Sequence, residues 1–121
     1  MSARVYAERA YKRVCAHRDA PCGKDGAGAR QFRTLAMNAP VLIRQAGPLQ
    51  AIAFWRRTSE GKKFSDDVAH VLNGGDVKEA GARLMQQVAA ASDQDYLRHT
   101  RDLVAVATWL RRFAQAELSR D

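Results

Sequence analysis

The chain has 121 residues, 46% of them hydrophobic, and its 20 lysines and arginines outnumber its 13 acidic residues to give a net charge of +7. This length fits one domain with its own core, and no apolar run approaches the roughly 20 residues of a membrane span. We expect a cytoplasmic protein because the N-terminus lacks a signal-peptide core, and we expect a polyanionic partner because of the excess positive charge.

Helical periodicity runs along the whole chain and predicts an all-α fold. We expect a single helical domain over residues 1–121, built as a bundle of about five to six helices. The first helix is predicted from Ala3 to His17, where Ala3, Ala7 and Val14 lie on one face. A flexible Gly-rich linker is predicted over residues 19–28, because its glycines and Pro21 oppose regular structure.

The middle of the chain contains two prolines, Pro40 and Pro48, which oppose a continuous helix. Pro40 predicts a helix boundary or kink near Asn38 and Ala39, since proline lacks the amide donor of a helix interior. The Gly47-Pro48 dipeptide predicts the end of the helical segment that follows Pro40. Residues 49–55 are almost wholly apolar, which predicts a helix buried on most sides.

Cap signals predict the last three helices. A short helix starts at Ser65 and stops at the glycines of residues 73–75. Asp76 followed by Glu79 predicts a capping box for the next helix, which runs to about residue 91. Ser92, with an acidic residue three positions later, predicts the cap of a long final helix that reaches almost to the C-terminus.

The sequence does not favour an enzyme, a metal site or a cofactor. Cys15, His17 and Cys22 lack the paired spacing of a zinc site, and two cysteines in a cytosolic protein are expected to be reduced thiols. The Gly23-Lys24 pair lacks the following Ser or Thr of a phosphate-binding loop. Carboxylates are scattered and mostly lie at caps or on helix surfaces, so we predict a protein without catalytic residues.

The final helix is amphipathic and carries arginines opposite its apolar face. At about 100° per residue, an apolar stripe is predicted toward the core. Its members are Tyr96, Thr100, Leu103, Ala107, Leu110 and Ala114. Arg98, Arg101 and Arg112 share the other side, with Arg111 at its margin. Trp109 lies close to them, and its apolar neighbours favour packing over a stacking surface for bases.

Two further basic clusters come earlier in the chain. One, on the first helix, contains Arg9, Lys12, Arg13 and Arg18; the other contains Arg56, Arg57, Lys62 and Lys63. Each cluster alone is typical of a solvated helix face. Three clusters on a small basic chain favour binding to the backbone of a nucleic acid, which needs positive charge and little else.

Several segments together resemble a known family. The final helix, with residues 95–101 followed by residues 109–116, is similar to the C-terminal signature of the small subunit of type III-B CRISPR effectors, the Cmr complexes. Residues 35–54 are similar to a second motif of that family, and residues 4–7 are similar to its start. The matched segments occur in the expected order and cover most of the chain.

The resemblance implies a non-catalytic helical subunit of an antiviral ribonucleoprotein. Copies of it would stack along an RNA-guided filament, beside the backbone subunits and below the large subunit, and would help to bind guide or target RNA. We expect Arg111 and Arg112, with Arg101, Arg56 and Arg57, to contact phosphates. The cluster of Arg9, Lys12 and Arg13 comes second.

Two alternatives from other classes remain open. A helical DNA-binding regulator would use a helix-turn-helix with its turn at residues 73–75, although the following helix carries only Lys78 and Arg83 as cations. A protein–protein adaptor would dock through residues 49–55, and an exposed Trp55 would support that function.

Overall fold

The computed structural model of the chain describes residues 3–21, 23 and 26–118, and within them it contains six helices and no strand. The helices are α1 (Ala3–Arg18), α2 (Ala27–Ala46), α3 (Pro48–Trp55), α4 (Ser59–Asn73), α5 (Ala80–Ala89) and α6 (Asp93–Glu117). The all-α prediction is confirmed, and the helix count lies within the predicted range.

The longest helix, α6, packs along both α1 and α2. Leu103, Ala107, Leu110 and Ala114 are buried as predicted, whereas the first two residues of the predicted stripe, 96 and 100, are only half-buried. The predicted cap is confirmed, because the Ser92 Oγ accepts a hydrogen bond from the amide of residue 95 at 3.2 Å. Helices α1 and α2 therefore both pack against α6.

Helices α2 and α6 run in opposite directions. The Tyr96 hydroxyl, near the start of α6, accepts a long 3.5 Å hydrogen bond from the amide of Leu49, just beyond the end of α2. Earlier on α2, Pro40 lies close to Arg112 of α6. Pro40 and Arg44 of α2 line one surface with residues 108–115 of α6, a pairing that a linear sequence does not reveal.

Of the two outcomes predicted near Pro40, a boundary or a kink, the boundary is wrong, because α2 continues through this residue. Proline removes one helical hydrogen bond. Here, however, Ala36, Ala39 and Ile43 continue one buried stripe on both sides of it, and Pro40 is itself buried. Burial of this stripe in the core compensates for the missing bond. The helix ends at Gly47, as the dipeptide at residues 47–48 predicted, and this glycine has a φ of 86°.

The linker and the third helix also depart from their predictions. Helix α2 begins at Ala27, so the last two residues of the predicted linker are helical. Cys22, Lys24 and Asp25 lie outside the described residues, and the linker's flexibility stays a prediction. In α3, Phe54 is 47% exposed, so this helix is buried on fewer sides than predicted.

Helix α4 begins six residues earlier than predicted. Thr58 caps it, since its Oγ1 accepts a 3.0 Å hydrogen bond from the amide of Gly61. A Cβ on Gly61 would collide with the backbone carbonyl of Trp55, so the chain can turn from α3 into α4 only because this residue is glycine. Ser65, the predicted start, is buried within the helix and donates to the carbonyl of Lys62 at 2.7 Å.

The predicted capping box of α5 is wrong. The Asp76 carboxylate accepts from the amide of Lys78 at 3.0 Å, which forms a local turn. Glu79 occupies the N-cap with a φ of 60° and no side-chain cap. Asp66 of α4 caps the helix instead, because its Oδ1 accepts from the Gly81 amide at 2.7 Å. A tertiary contact therefore replaces the local capping box.

A chain of aromatic contacts crosses the core and joins four helices. Trp55 of α3 meets Phe64 of α4 edge-on at 5.0 Å between ring centroids, and Phe64 meets Phe32 of α2 edge-on at 5.3 Å. Phe32 then stacks on the imidazole of His17 of α1 at 4.1 Å. Aromatic pairs stabilise a fold by more than the area that they bury. This chain of rings therefore helps to hold the four helices together.

Candidate nucleic-acid interface

The second halves of α2 and α6 enclose an open groove with a volume of about 310 Å³. We call it the C-terminal groove, and its lining residues are Pro40, Arg44, Thr108, Arg111, Arg112 and Gln115. Arg111 is half-buried, whereas Arg44 and Arg112 are exposed. Three guanidinium groups from two helices therefore meet at one surface, and two of them were predicted from the sequence.

None of these three guanidinium groups forms an ion pair with a carboxylate in the described part of the chain. Arg112 has one close neighbour, because its guanidinium carbon lies 5.2 Å from the centroid of the Trp109 ring. A cation–π contact holds the side chain in place and leaves its hydrogen-bond donors available. The groove therefore offers cationic donors to an anionic group from outside the chain.

Trp109 is half-buried and packs against the core. Its ring is stacked on Phe113 at 5.6 Å with 19° between the planes, and Phe113 in turn meets Tyr11 of α1 edge-on at 5.3 Å. These contacts confirm packing as the main role of Trp109. The ring also supports Arg112, so packing and the position of the cation are linked.

Arg101 lies on the exposed face of α6, one turn beyond Arg98, and its side chain is 78% exposed. Its nearest carboxylate, on the adjacent Asp102, is 3.8 Å away, and Arg98 pairs with Asp95 at 3.3 Å. Exposed pairs of this kind are weak. The first half of α6 carries three aspartates against two arginines, so its positive charge is offset, in contrast to the C-terminal groove.

The predicted basic cluster of Arg9, Lys12 and Arg13 on α1 is used largely within the fold. The Nη1 of Arg9 donates to the carbonyl of Val71 at 3.2 Å, in the last turn of α4, where helix carbonyls lack partners of their own. The Arg9 guanidinium also packs against Gly74, which has a φ of 75°. Arg9 therefore helps to end α4.

Arg13 makes a buried ion pair. Its Nε lies 2.8 Å from Oδ1 of Asp67, whose side chain is only 3% exposed, and the Nε2 of His17 lies 2.9 Å from Oδ2 of the same carboxylate. Lys12, by contrast, is 72% exposed and forms only a 3.5 Å surface pair with Glu8. Of the three predicted α1 residues, only Lys12 therefore remains open to solvent.

Arg56 and Arg57, between α3 and α4, also contact the protein. The Nη1 of Arg56 donates to the Ser65 hydroxyl at 3.2 Å. Arg57 lies over the exposed ring of Phe54 at 4.0 Å, and its Nε donates to the carbonyl of that same residue at 3.1 Å. Arg57 is exposed, so it can still contact an anion, but neither residue lines the C-terminal groove.

Sequence reasoning missed Arg44. This residue lies in the last turn of α2, within the segment similar to the family's second motif, but it was not predicted as an RNA contact. Its place beside Arg111 depends on the antiparallel packing of α2 on α6, and that packing depends in turn on α2 continuing through Pro40. A helix that ended near Asn38 would not carry Arg44 to the groove. The predicted boundary therefore gave no reason to place Arg44 beside Arg111.

The described residues also bear on metal binding, membrane spanning and the predicted thiols. Among them, no group of three or more His, Cys, Asp or Glu side chains is arranged to hold a metal ion. None of the helices in this part of the chain is long and apolar enough to cross a membrane. Cys15 is a half-buried free thiol, and Cys22 of the predicted thiol pair lies outside the described residues.

Comparison with known proteins identifies the family. A family model described as CRISPR-associated protein (Cas_Cmr5) matches residues 2–117. The chain belongs to the Cmr5 family. A relative from Thermus thermophilus, described as CRISPR system Cmr subunit Cmr5, is 40% identical over 114 residues, which cover 93% of this chain and 91% of the relative. The resemblance stated from the sequence motifs is therefore confirmed.

A solved structure agrees with this Cmr5 assignment. The crystal structure of a CRISPR-associated Cmr5 family protein, also from Thermus thermophilus, superimposes with a TM-score of 0.82. The two chains are 34% identical, and the match covers 97% of this chain and 96% of the other. The helical arrangement that forms the C-terminal groove therefore belongs to a fold already observed in this family.

Proposed function

We propose that the chain is a non-catalytic small subunit of a type III-B CRISPR effector in the cytoplasm, where it takes part in antiviral defence. In this proposal it binds the backbone of guide or target RNA. Base pairing supplies the sequence specificity of an RNA-guided complex, so such a subunit needs only positive charge and shape. Its partners are the backbone and large subunits and further copies of itself, stacked along the filament.

The observation that carries this proposal is the C-terminal groove in a member of the Cmr5 family. Arg44, Arg111 and Arg112 lie together without a carboxylate partner among the described residues. Phosphate oxygens are ligands that guanidinium groups bind well. Arg101 extends the basic surface by about 16 Å along α6 at about 1.5 Å per residue, which gives an extended strand room for more than one contact.

The residues predicted as contacts rank differently once their surroundings are considered. Arg111 and Arg112 remain the first candidates, and Arg44 joins them. Arg101 follows, and Arg57 comes next as a contact at a separate surface. Arg9, Arg13 and Arg56 hydrogen-bond within the protein, which lowers their capacity for phosphate. Lys12 pairs with Glu8 and does not line the C-terminal groove, so we do not assign it to the RNA contact.

The two alternative functions receive less support. The adaptor hypothesis used an exposed Trp55, but this side chain is only 2% exposed. The helix-turn-helix hypothesis needs a short turn before the second helix. Residues 74–79 separate α4 from α5, and Arg83 is the only cation within α5. Neither alternative explains the C-terminal groove.

Binding of single-stranded RNA at increasing salt concentration tests the proposal. With about three to five phosphates contacted, the slope of log affinity against log salt should be about −2 to −3.5. The Arg111→Glu/Arg112→Glu variant should bind at least about tenfold more weakly near 0.1 M salt, with an unchanged circular-dichroism spectrum.

A matched control separates the groove from total charge. The Lys12→Glu/Lys78→Glu variant changes the net charge by the same amount at exposed positions outside the groove. It should stay within about threefold of the parent chain, because long-range effects are screened at this ionic strength. Equal losses in both variants, or a flat salt response in the parent, would contradict the proposal.

A further inference from the structure

A polar cavity of about 260 Å³ lies on another side of α6, where that helix meets α1, α4 and α5. We call it the Tyr6–His99 cavity, and its polar lining residues are Tyr6, Asn73, Gln87, Arg98, His99 and Asp102. Arg98 also lines the neighbouring depression on the exposed face of α6, together with Arg101. The cavity therefore opens beside Arg101, which the proposed function ranks as an RNA contact after those of the C-terminal groove.

Two of its polar side chains are almost completely buried and have no hydrogen-bond partner. Tyr6 is 5% exposed and His99 is 7% exposed, yet neither makes a hydrogen bond to another described residue. The only fully enclosed polar side-chain atom without a partner in this part of the chain is the Nε of Arg33. The Tyr6 hydroxyl and the His99 nitrogens are therefore reachable from the cavity. Since neither group has a partner among the described residues, both can hydrogen-bond to a molecule that enters the cavity.

The opposite charges of the lining favour neither a simple anion nor a simple cation. Asp102 repels an anion, and Arg98 disfavours a cation. Burial raises the pKa of the Tyr6 hydroxyl; the nearby Asp102 raises it further, while Arg9 and Arg101 lower it. The hydroxyl is therefore protonated at neutral pH and can both donate and accept a hydrogen bond.

The remaining groups suit a neutral, polar ligand. The Nδ2 of Asn73 donates to the Oε1 of Gln87 at 3.2 Å, which leaves one amide oxygen and one amide nitrogen free for another molecule. Amide, carboxylate and hydroxyl groups together match the alternating donors and acceptors along the edge of a nucleobase. The volume is small, below the usual range for drug-sized ligands, and fits a single ring system.

We propose that the Tyr6–His99 cavity receives one unstacked nucleobase from the RNA strand whose phosphates lie along α6. This inference rests on the proposed function and adds a base contact to it. Proteins that bind single-stranded RNA commonly splay a base out of the strand and bind its edge with polar side chains. Arg98 and Arg101 then lie beside the phosphates that flank this base.

The test compares two single-stranded RNAs of equal length, one with all its bases and one with abasic nucleotides. Both carry the same phosphates, so only a base contact separates them. We expect the parent chain to bind the complete strand about tenfold more tightly. The Tyr6→Phe/Gln87→Ala variant should reduce this difference to about twofold, while its affinity for the abasic strand stays unchanged. The Tyr11→Phe variant removes a hydroxyl bonded to Glu117, away from the cavity, and is the matched control.

The outcomes separate this inference from the proposed function. If Arg111→Glu/Arg112→Glu weakens binding of both strands but the cavity variant keeps the full difference between them, the cavity inference is overturned and backbone binding stands. If the parent chain binds neither strand, both fail. If the cavity variant keeps the difference but enters the effector complex poorly, the cavity holds a protein side chain and the inference is overturned.

A magnetic-resonance measurement adds a direct readout at His99. The imidazole signals of His99 should shift when the complete strand is added and should stay in place with the abasic strand. Shifts of equal size with both strands would place the base outside the cavity and contradict the inference.

Discussion

Helices α1 and α6 carry four arginines each, yet they use them differently. On α1, Arg9 and Arg13 reach the backbone of α4 and the buried Asp67, and Arg18 pairs with Glu117 at 3.2 Å. On the second half of α6, Arg111 and Arg112 meet no carboxylate within the described chain. The difference lies in the neighbouring elements and not in the helices' own composition.

Net charge alone therefore does not locate a binding surface on this protein. An arginine stabilises the fold where a neighbouring helix supplies an acceptor, and it remains available to a partner where none is supplied. Here α4 supplies acceptors to α1, whereas α2 adds another cation, Arg44, to the groove on α6.

The buried ion pair of α1 should give the largest effect. Asp67→Ala removes the partner of both Arg13 and His17 and leaves a half-buried cation without a partner. Breaking a buried pair in this way should lower the free energy of unfolding by about 3 kcal/mol, measured by urea denaturation. Glu8→Ala, which removes the surface partner of Lys12, is the control and should cost less than about 1 kcal/mol. Equal effects would contradict the structural role of Asp67.

Arg9 should give the next largest effect on stability. Arg9→Ala removes the hydrogen bond to the carbonyl of Val71 and the packing against Gly74. We expect a loss of about 1–2 kcal/mol in the free energy of unfolding, since a charged donor to a buried acceptor is worth about that much. RNA affinity of the folded variant should stay within about threefold. A large affinity loss with no change in stability would move Arg9 into the binding surface.

Arg112 should show a small effect when its charge is kept. Arg112→Lys preserves the phosphate contact but weakens the cation–π contact with Trp109, which is worth about 0.5–1 kcal/mol at an exposed site. RNA affinity should fall about two- to fivefold without a change in salt slope. Arg112→Ala should instead make the slope shallower by about 0.7, because one phosphate contact is lost. An unchanged slope in Arg112→Ala would exclude Arg112 as a phosphate contact.

Much of the fold follows from the sequence because most of its helices are specified locally. The stripe of Leu103, Ala107 and Leu110 and the Ser92 cap were visible in the residue spacing, and the structure confirms both. The predictions that failed depended on tertiary contacts. Pro40 is tolerated because its helix face is buried, and α5 takes its cap from Asp66, far from it in sequence.

The candidate site was predictable only in part for the same reason. Arg111 and Arg112 are adjacent in sequence and belong to a recognisable motif. Arg44 joins them only through antiparallel packing, and Tyr6 meets His99 only where several helices converge. The structural role of Arg13 depends on its ion pair with the buried Asp67. The local sequence around Asp67 indicates a helix start but not burial of this carboxylate.

One measurement compares the C-terminal groove with helix α1 directly. Arg44→Glu and Lys12→Glu each reverse one exposed cation, so they change the net charge equally, but only Arg44 lines the C-terminal groove. We expect Arg44→Glu to weaken single-stranded RNA binding about tenfold near 0.1 M salt and Lys12→Glu to change it by less than about twofold. Equal losses in the two variants, or a larger loss in Lys12→Glu, would contradict the assignment of RNA binding to the C-terminal groove.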